Sequence, residues 1–257
     1  MSEAVTLPPR TTDAFLGGRV VLVQPQKGHR AGLDAALLQA VVPFDASGLL
    51  IDIGAGVGTV AFSAAARAPR LTAVALERDP ALVELARAAL QLPANAGFSA
   101  RVRLVTADAA DLGAVRNTIG EAAADWVLMN PPFDTPGRVR QSPERARREA
   151  HVGGAELLQA WCRTAAALLS PAGTLGIIHR AEALPAVLQA LAGAFGGMRV
   201  LPAHPFAGAP ASRIVVRAER ASRAPFSLLP GLALHEAGGG WTDEADAILK
   251  GRAALAI

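Results

Sequence analysis

Asn130-Pro131-Pro132-Phe133 is the stretch of this chain whose residue types most clearly suit a reaction. It follows Asp125-Trp126-Val127-Leu128-Met129, and the short apolar run 126–129, bounded by breakers, predicts a buried strand. Two prolines end the strand, because neither can donate to a ladder, and they push Asn130 towards an extended backbone. The Asn130 side chain and the Pro131 carbonyl are then fixed at the carboxyl end of a strand, the edge where open α/β sheets bind ligands. Two fixed acceptors can take both hydrogens of a planar amino group. An aromatic ring such as Phe133 can stack on the base or amide that carries it. This is chemistry for making an exocyclic NH2 nucleophilic. The bland alternative is an Asn-Pro turn initiator in a surface connection.

Upstream residues weigh against the bland alternative. Leu49-Leu50-Ile51-Asp52-Ile53-Gly54-Ala55-Gly56-Val57-Gly58-Thr59 is an apolar strand entering a glycine-rich turn, and 60–67 then has a helical pattern. Glycines let the backbone turn tightly and approach a ligand without Cβ obstruction. The turn is Gly-x-Gly-x-Gly, one residue shorter than the dinucleotide fingerprint. The next strand, 71–76, ends in Glu77, which can accept hydrogen bonds from both hydroxyls of a ribose. A third strand, 102–105, ends in Thr106-Ala107-Asp108 and brings a further carboxylate to the same edge. Each feature alone is weak. Glycine turn, Glu, Asp and Asn-Pro-Pro-Phe at the ends of four successive strands make a specific joint pattern.

In that order the motifs resemble a class I S-adenosylmethionine (SAM)-dependent methyltransferase of the amino-methylating kind. Within this group the chain is most similar to the bacterial tRNA adenine-N6 methyltransferases that modify valine tRNA. The similarity runs over nearly the whole chain. Gly28-His29-Arg30-Ala31-Gly32-Leu33-Asp34 and the following Ala35-Ala36-Leu37-Leu38 resemble the segment before the glycine motif. Ala211-Ser212-Arg213 with Ile214-Val215-Val216-Arg217, and Trp241-Thr242-Asp243-Glu244-Ala245, resemble the last hairpin and the closing helix. The resemblance implies a Rossmann-like fold with a seven-stranded, mostly parallel sheet, an antiparallel C-terminal hairpin and helices on both faces. It implies SAM as cofactor, with Asp52, Gly54, Ala55, Gly56, Gly58, Glu77, Asp108 and Asn130 around it. Glu77 would meet the ribose and Asp108 the adenine, while Asp52 would orient the glycine turn or the methionine amino group. It implies Asn130, Pro131, Pro132 and Phe133 as the catalytic set. Many such tRNA enzymes carry Tyr where this chain has Phe133, so stacking survives here and any hydroxyl contact does not. Related Asn-Pro-Pro-aromatic enzymes act on adenine in DNA, guanine N2 in ribosomal RNA or a glutamine amide in release factors, and those substrates stay open.

The elements that must position these residues follow from pattern. A hairpin is expected over 14–24 with Gly17-Gly18 at its turn, and Asp34 could cap a helix over 35–40. These make an N-terminal part, 1–45, ahead of a methyltransferase region, 46–257, in one structural domain. Helices are expected at 80–92, 154–170 and 182–195, and strands at 173–179, 198–203 and 212–219. From Leu49 onward strands and helices alternate, as in a parallel sheet covered on both faces. The ambiguous stretch 221–240 could hold a short strand around 232–235.

With 257 residues and 51% hydrophobic content the chain can bury a full core. Pro and Arg interrupt every apolar run before it reaches a membrane span, and no export signal pattern opens the chain, so a cytoplasmic protein is expected. Cys162 is the one cysteine and follows Trp161 in an apolar helical pattern, which favours packing over a nucleophilic role. His29, His151, His179, His204 and His235 lack metal-ligand spacing, and no metal is expected. The net charge is +3 and the basicity is nearly all arginine, Lys27 and Lys250 being the lysines. Arg138, Arg140, Arg145, Arg147 and Arg148 follow the Asn-Pro-Pro-Phe motif, against Glu144 and Glu149. A solvated helix start with local ion pairs would explain them. Beside a target-base pocket they could instead clamp RNA phosphates, with Lys27, His29 and Arg30 as a second basic group. RNA, most naturally tRNA, is the expected partner, and the sequence does not choose between monomer and homodimer. A nicotinamide-dependent dehydrogenase would share the fold and the acidic ribose contact but leaves 130–133 without a task. A non-catalytic RNA-binding protein is argued against by the intact glycines, acids and Asn-Pro-Pro-Phe.

Overall fold

Leu50 and Ile51 are neighbours in sequence, yet they enter two different apolar cores. They lie on β3 (Ser47–Ile53), and side chains on a strand point alternately to the two faces of a sheet. The same alternation on β4 (Arg70–Glu77) sends Leu71, Ala73 and Ala75 to one core and Val74 and Leu76 to the other. A strand buried on both faces needs helices on both faces. In this computed structural model residues 7–27, 30–121, 123–132 and 143–257 are described, with the side chains of 143–153 excepted.

The elements run as follows. A hairpin of β1 (Arg10–Phe15) and β2 (Val20–Pro25) comes first, then α1 (Leu33–Gln39), β3, α2 (Thr59–Arg67), β4 and α3 (Pro80–Leu90). A short α4 (Ala96–Ser99), β5 (Val102–Thr106), α5 (Leu112–Ile119), β6 (Ala124–Met129), α6 (Pro143–Leu168) and β7 (Leu169–Arg180) follow. The chain continues with α7 (Leu184–Leu191), β8 (Phe195–Phe206), β9 (Arg213–Arg220), β10 (Ser227–Leu228), β11 (Leu232–His235) and α8 (Asp243–Leu249). The main sheet has nine strands in the order β10-β8-β9-β7-β6-β3-β4-β5, with β11 also on β8. β3 to β7 pair in parallel, and β9 is antiparallel to both β7 and β8. The expected seven strands are therefore present as β3 to β9. Two short strands, one of them the expected 232–235, extend the β8 edge in parallel. The chain moves outward from β3 to β4 and β5 and then returns to the other side of β3 as β6. This reversal opens a crevice beyond the carboxyl ends of β3 and β6.

The hairpin packs Val20, Leu22 and Val23 into one core, and a buried amide pins it there. The buried Asn95 side chain accepts from Val21 N at 2.9 Å and donates to the carbonyls of Val21 at 2.7 Å and Ala89 at 2.8 Å. Its strands are longer than expected, and Gly17 and Gly18 occupy the turn with φ of 65° and 86°. Opposite, buried Arg67 donates to the Gln39 and Val42 carbonyls and to Ala253 O, fastening the chain's end to α1 and α2.

Four local expectations need correcting. Gly32, not Asp34, precedes α1, and no side chain caps it; Asp34 instead pairs with Arg213 at 2.8 Å. α5 was not expected. Its apolar stripe is short, though Asp111 Oδ1 takes Ala114 N at 3.0 Å and Gly120 ends it at φ 79°. The expected helix 182–195 is split, with α7 ending at Leu191 and β8 starting at Phe195. The long helix instead starts earlier, at Pro143, and β7 takes over at Leu169, before Pro171 and Gly173.

Candidate active site

The glycine turn after β3 is fastened to its neighbour before any ligand arrives. Gly54 N and Ala55 N both donate to Leu76 O, at 2.9 and 3.0 Å, so the turn is tied to the end of β4. Gly56 sits at φ 58° with nothing within 4 Å of where a Cβ would stand, so backbone conformation rather than crowding calls for glycine. At Gly54, with φ 71°, both reasons apply. A Cβ there would lie 2.3 Å from the Trp161 ring, which packs directly on the turn.

Three carboxylates stand around this turn, and all are already engaged. Asp52 is buried and accepts from Ala61 N, in the first turn of α2, at 3.0 Å. Burial pushes its carboxyl up to about 7; the Ala61 N–H pulls against that and the charge of Glu77 adds to it. Glu77 accepts Gly56 N at 2.9 Å on one oxygen, and Arg78 N at 2.8 Å and Asp79 N at 2.9 Å on the other. Asp108 accepts Ala110 N at 2.8 Å, and its second oxygen is 3.8 Å from the Arg78 guanidinium.

Across the crevice two polar side-chain atoms are unengaged among the described residues. Asn130 follows β6, and its Oδ1 is buried with no hydrogen-bond partner among the described residues. Pro131 is buried beside it and Pro132 is exposed. Trp161 Nε1 on α6 is likewise buried without an acceptor. Most buried polar atoms in folded proteins are paired, so two orphans in one place need an explanation.

A cavity of about 660 Å³ joins the two sides. Of the expected residues it brings together Asp52, Gly54, Ala55, Gly56, Glu77, Asp108, Asn130, Pro131, Pro132 and Arg30. Gly58 is absent from its lining and precedes α2 at φ 86°. Arg30 lines it but is held by the hairpin, donating to Thr11 Oγ1, Pro25 O and Asp13 Oδ2 at 2.9–3.1 Å. Lys27 is exposed and lies outside the lining. Phe133, Arg138, Arg140 and His29 lie outside the described residues, as do the side chains of Arg145, Arg147 and Arg148.

Residues that the sequence does not assign to the site also line the cavity: Leu157 and Trp161 on α6, and the Asp34–Arg213 pair joining α1 to β9. Trp161 carried a signal, since an indole N–H on an otherwise apolar helix face requires an acceptor once buried. The neighbouring Cys162 is buried, and burial pushes its thiol up to about 12, so it packs rather than reacts. Among the described residues no group of acids, histidines or cysteines is arranged to hold a metal ion, and no helix is long and apolar enough to cross a membrane.

Known proteins share this arrangement. A tRNA1(Val) (adenine(37)-N6)-methyltransferase of Porphyromonas gingivalis is 34% identical over 172 residues, 65% of either chain. The match therefore spans just under two thirds of that relative's length. The crystal structure of a predicted O-methyltransferase from Agrobacterium tumefaciens superposes with a TM-score of 0.74 at 32% identity, covering 86% of this chain and 98% of that one. The Thermus thermophilus 16S rRNA N2 G1207 methyltransferase, solved with AdoMet and guanosine, shares the fold at TM-score 0.56 and 21% identity, over 84% of this chain and 51% of that one. The profile of the methyltransferase small domain matches residues 30–205, which include the glycine turn, all three carboxylates and Asn-Pro-Pro. That match covers more than half of the sequence, and the chain belongs to the methyltransferase small domain family.

Proposed function

We propose that this protein is a SAM-dependent methyltransferase that adds a methyl group to an exocyclic amino nitrogen of a nucleobase, adenine N6 in tRNA. One observation carries the reading. Asn130 Oδ1 is a buried acceptor with no partner among the described residues, at the rim of a cavity whose other wall is a glycine turn ringed by carboxylates. An amide oxygen buried alone is costly, and a donor supplied by the substrate removes the cost.

The residues fit the cofactor. Left-handed Gly56 leaves open space over the turn, and the nearby acids suit a ligand carrying a ribose and positive charge. When bound, SAM supplies a methyl already made electrophilic by its sulfonium. Glu77 accepts from the ribose hydroxyls, Asp108 meets the adenine, and Asp52 faces the methionine ammonium through the turn it anchors. Asn130 Oδ1 and the Pro131 carbonyl accept the two hydrogens of the target amino group, drawing its lone pair out of conjugation and aiming it. Phe133 stacks on the target base, a contact of about 1–3 kcal/mol in single-strand binding. The proton leaves after attack, so no general base need act first.

tRNA is favoured by the similarity to the Porphyromonas relative and by the run of arginines after the motif. Arg138, Arg140, Arg147 and Arg148, with Lys27 and His29, are the candidates for phosphate contacts. Arg30 is the weakest, since the hairpin already occupies its guanidinium. Such an enzyme would work in the cytoplasm. The acceptor geometry also favours nitrogen over oxygen as the methylated atom, because a hydroxyl has only one hydrogen to give.

The test is incubation with labelled SAM and separate pools of tRNA, ribosomal RNA, DNA and release factor, followed by nucleoside mass spectrometry. N6-methyladenosine in tRNA is the expected product. N2-methylguanosine, or label in the release factor alone, would overturn the substrate while keeping the chemistry. Label on oxygen would overturn both.

A further inference from the structure

Trp161 sits one turn before Thr164 on α6, and the Thr164 hydroxyl donates to Ala109 O at 2.8 Å. That bond ties α6 to the loop carrying Asp108 and sets the indole beside it. The residue is 8% exposed, and the carbon edge of its ring packs on Gly54. Its Nε1 can only donate, and it finds no acceptor among the described residues. Four buried side-chain polar atoms of the described residues lack partners, and two of them, Asn130 Oδ1 and Trp161 Nε1, belong to residues lining the one cavity. One is an acceptor and the other a donor. Packing accounts for the ring carbons on Gly54, but it gives no task to a buried N–H.

We infer that Trp161 is a cofactor-binding residue whose Nε1–H donates to a lone-pair acceptor, a ring nitrogen or the ribose oxygen, on the adenosine half of SAM. The inference rests on the reading of this cavity as a SAM site. It selects the adenosine half because α6 is tied to the residue after Asp108, the proposed adenine contact, while the ring covers Gly54 at the start of the turn. Asn130 then serves the incoming amino group and Trp161 the cofactor. The two orphans divide between the two ligands.

Trp126, Trp161 and Trp241 give the chain three indole N–H groups, few enough to follow singly by nitrogen-15 NMR. The Trp161→Phe variant assigns the Trp161 signal by its loss. Titrating the wild-type protein with S-adenosylhomocysteine should move that signal downfield. Calorimetry should show Trp161→Phe binding the same ligand about 5- to 10-fold more weakly, as expected for one neutral hydrogen bond. Free methionine should leave the signal in place. A signal that stays put with S-adenosylhomocysteine and moves only when adenosine monophosphate is added to the saturated protein would give the donor to the target base and overturn the inference. A fixed signal with unchanged affinity in Trp161→Phe would overturn it in favour of packing. Should that variant not fold, the wild-type titration with signals assigned through Trp126→Phe and Trp241→Phe still decides. Wild-type protein that gives no heat with S-adenosylhomocysteine would overturn the SAM reading itself, an outcome distinct from the others.

Discussion

The two walls of the cavity are built on opposite plans. On the side of β3 and β4 each carboxylate is already bonded to backbone N–H: Asp52 to Ala61, Glu77 to Gly56, Arg78 and Asp79, and Asp108 to Ala110. On the side of β6 and α6 Asn130 Oδ1 and Trp161 Nε1 are buried with no partner among the described residues. The first wall has its shape without a ligand. The second carries unmet desolvation that only a ligand can relieve. A cofactor can then dock on a preformed surface, while the selective bonds are left for the reacting group, where they contribute most in the transition state.

This contrast is most directly broken at Asn130. Asn130→Ala removes the amide acceptor and leaves the wired wall untouched. Turnover should fall by about 100- to 1000-fold, the scale for losing one preorganised polar group in an active site. Cofactor affinity by calorimetry should stay within a few-fold. If affinity collapsed together with turnover, the two walls would not be separable and Asn130 would belong to the cofactor. Near wild-type turnover would move activation of the amino group elsewhere.

A smaller effect is expected from the wired wall. Glu77→Ala removes the acceptor of three backbone N–H groups and the proposed ribose contact together, so cofactor binding should weaken by about 1.5–3 kcal/mol, or roughly 10- to 100-fold. Single-turnover rate at saturating cofactor should change far less. Glu77→Gln, which retains one acceptor oxygen, should fall between the two. An unchanged affinity in Glu77→Ala would show that the turn keeps its shape without the carboxylate.

How far the chain could be read follows the same division. The wired wall was legible because its residues sit at strand ends defined by period: apolar runs at 49–53, 71–76 and 102–105 place Asp52, Glu77 and Asp108 without knowledge of the rest of the fold. Asn130 was legible because two prolines stop its strand at a definite residue. Trp161 was not, since its place depends on the rotation of α6 against the sheet and on the Thr164 tie to Ala109, a contact over 55 residues of chain. Asp34 misled for a related reason. Local rules make it a helix cap, but Arg213, 179 residues away, offers a charge-assisted bond that a cap cannot match. β10 and β11 are short edge pairings to β8, in a Pro- and Gly-rich stretch that offers little periodicity to read.

The last expected effect is on pH, and it tests whether the wired wall senses the ligand's charge. In the unfolded chain Asp52 releases its proton near 3.8, and in the fold it keeps it up to about 7, chiefly because burial disfavours the anion. Between those values the folded state holds the extra proton, so Asp52 makes the ligand-free protein lose stability as pH rises from about 4 to about 7. Asp52→Asn keeps an oxygen for Ala61 N–H and has no proton to lose, so urea unfolding of the variant should lack this decline. With cofactor the sign reverses. An ammonium near Asp52 favours the carboxylate, so affinity should climb as pH rises towards about 7 and level off above it, by about tenfold per pH unit at most. Binding at pH 6 should release a proton, visible as a dependence of calorimetric heat on buffer ionisation enthalpy, and Asp52→Asn should abolish that release. If wild-type affinity were flat from pH 5 to 8 while the stability decline remained, Asp52 would be an anchor for α2 and nothing more. The ammonium would then have to find its partner elsewhere in the cavity.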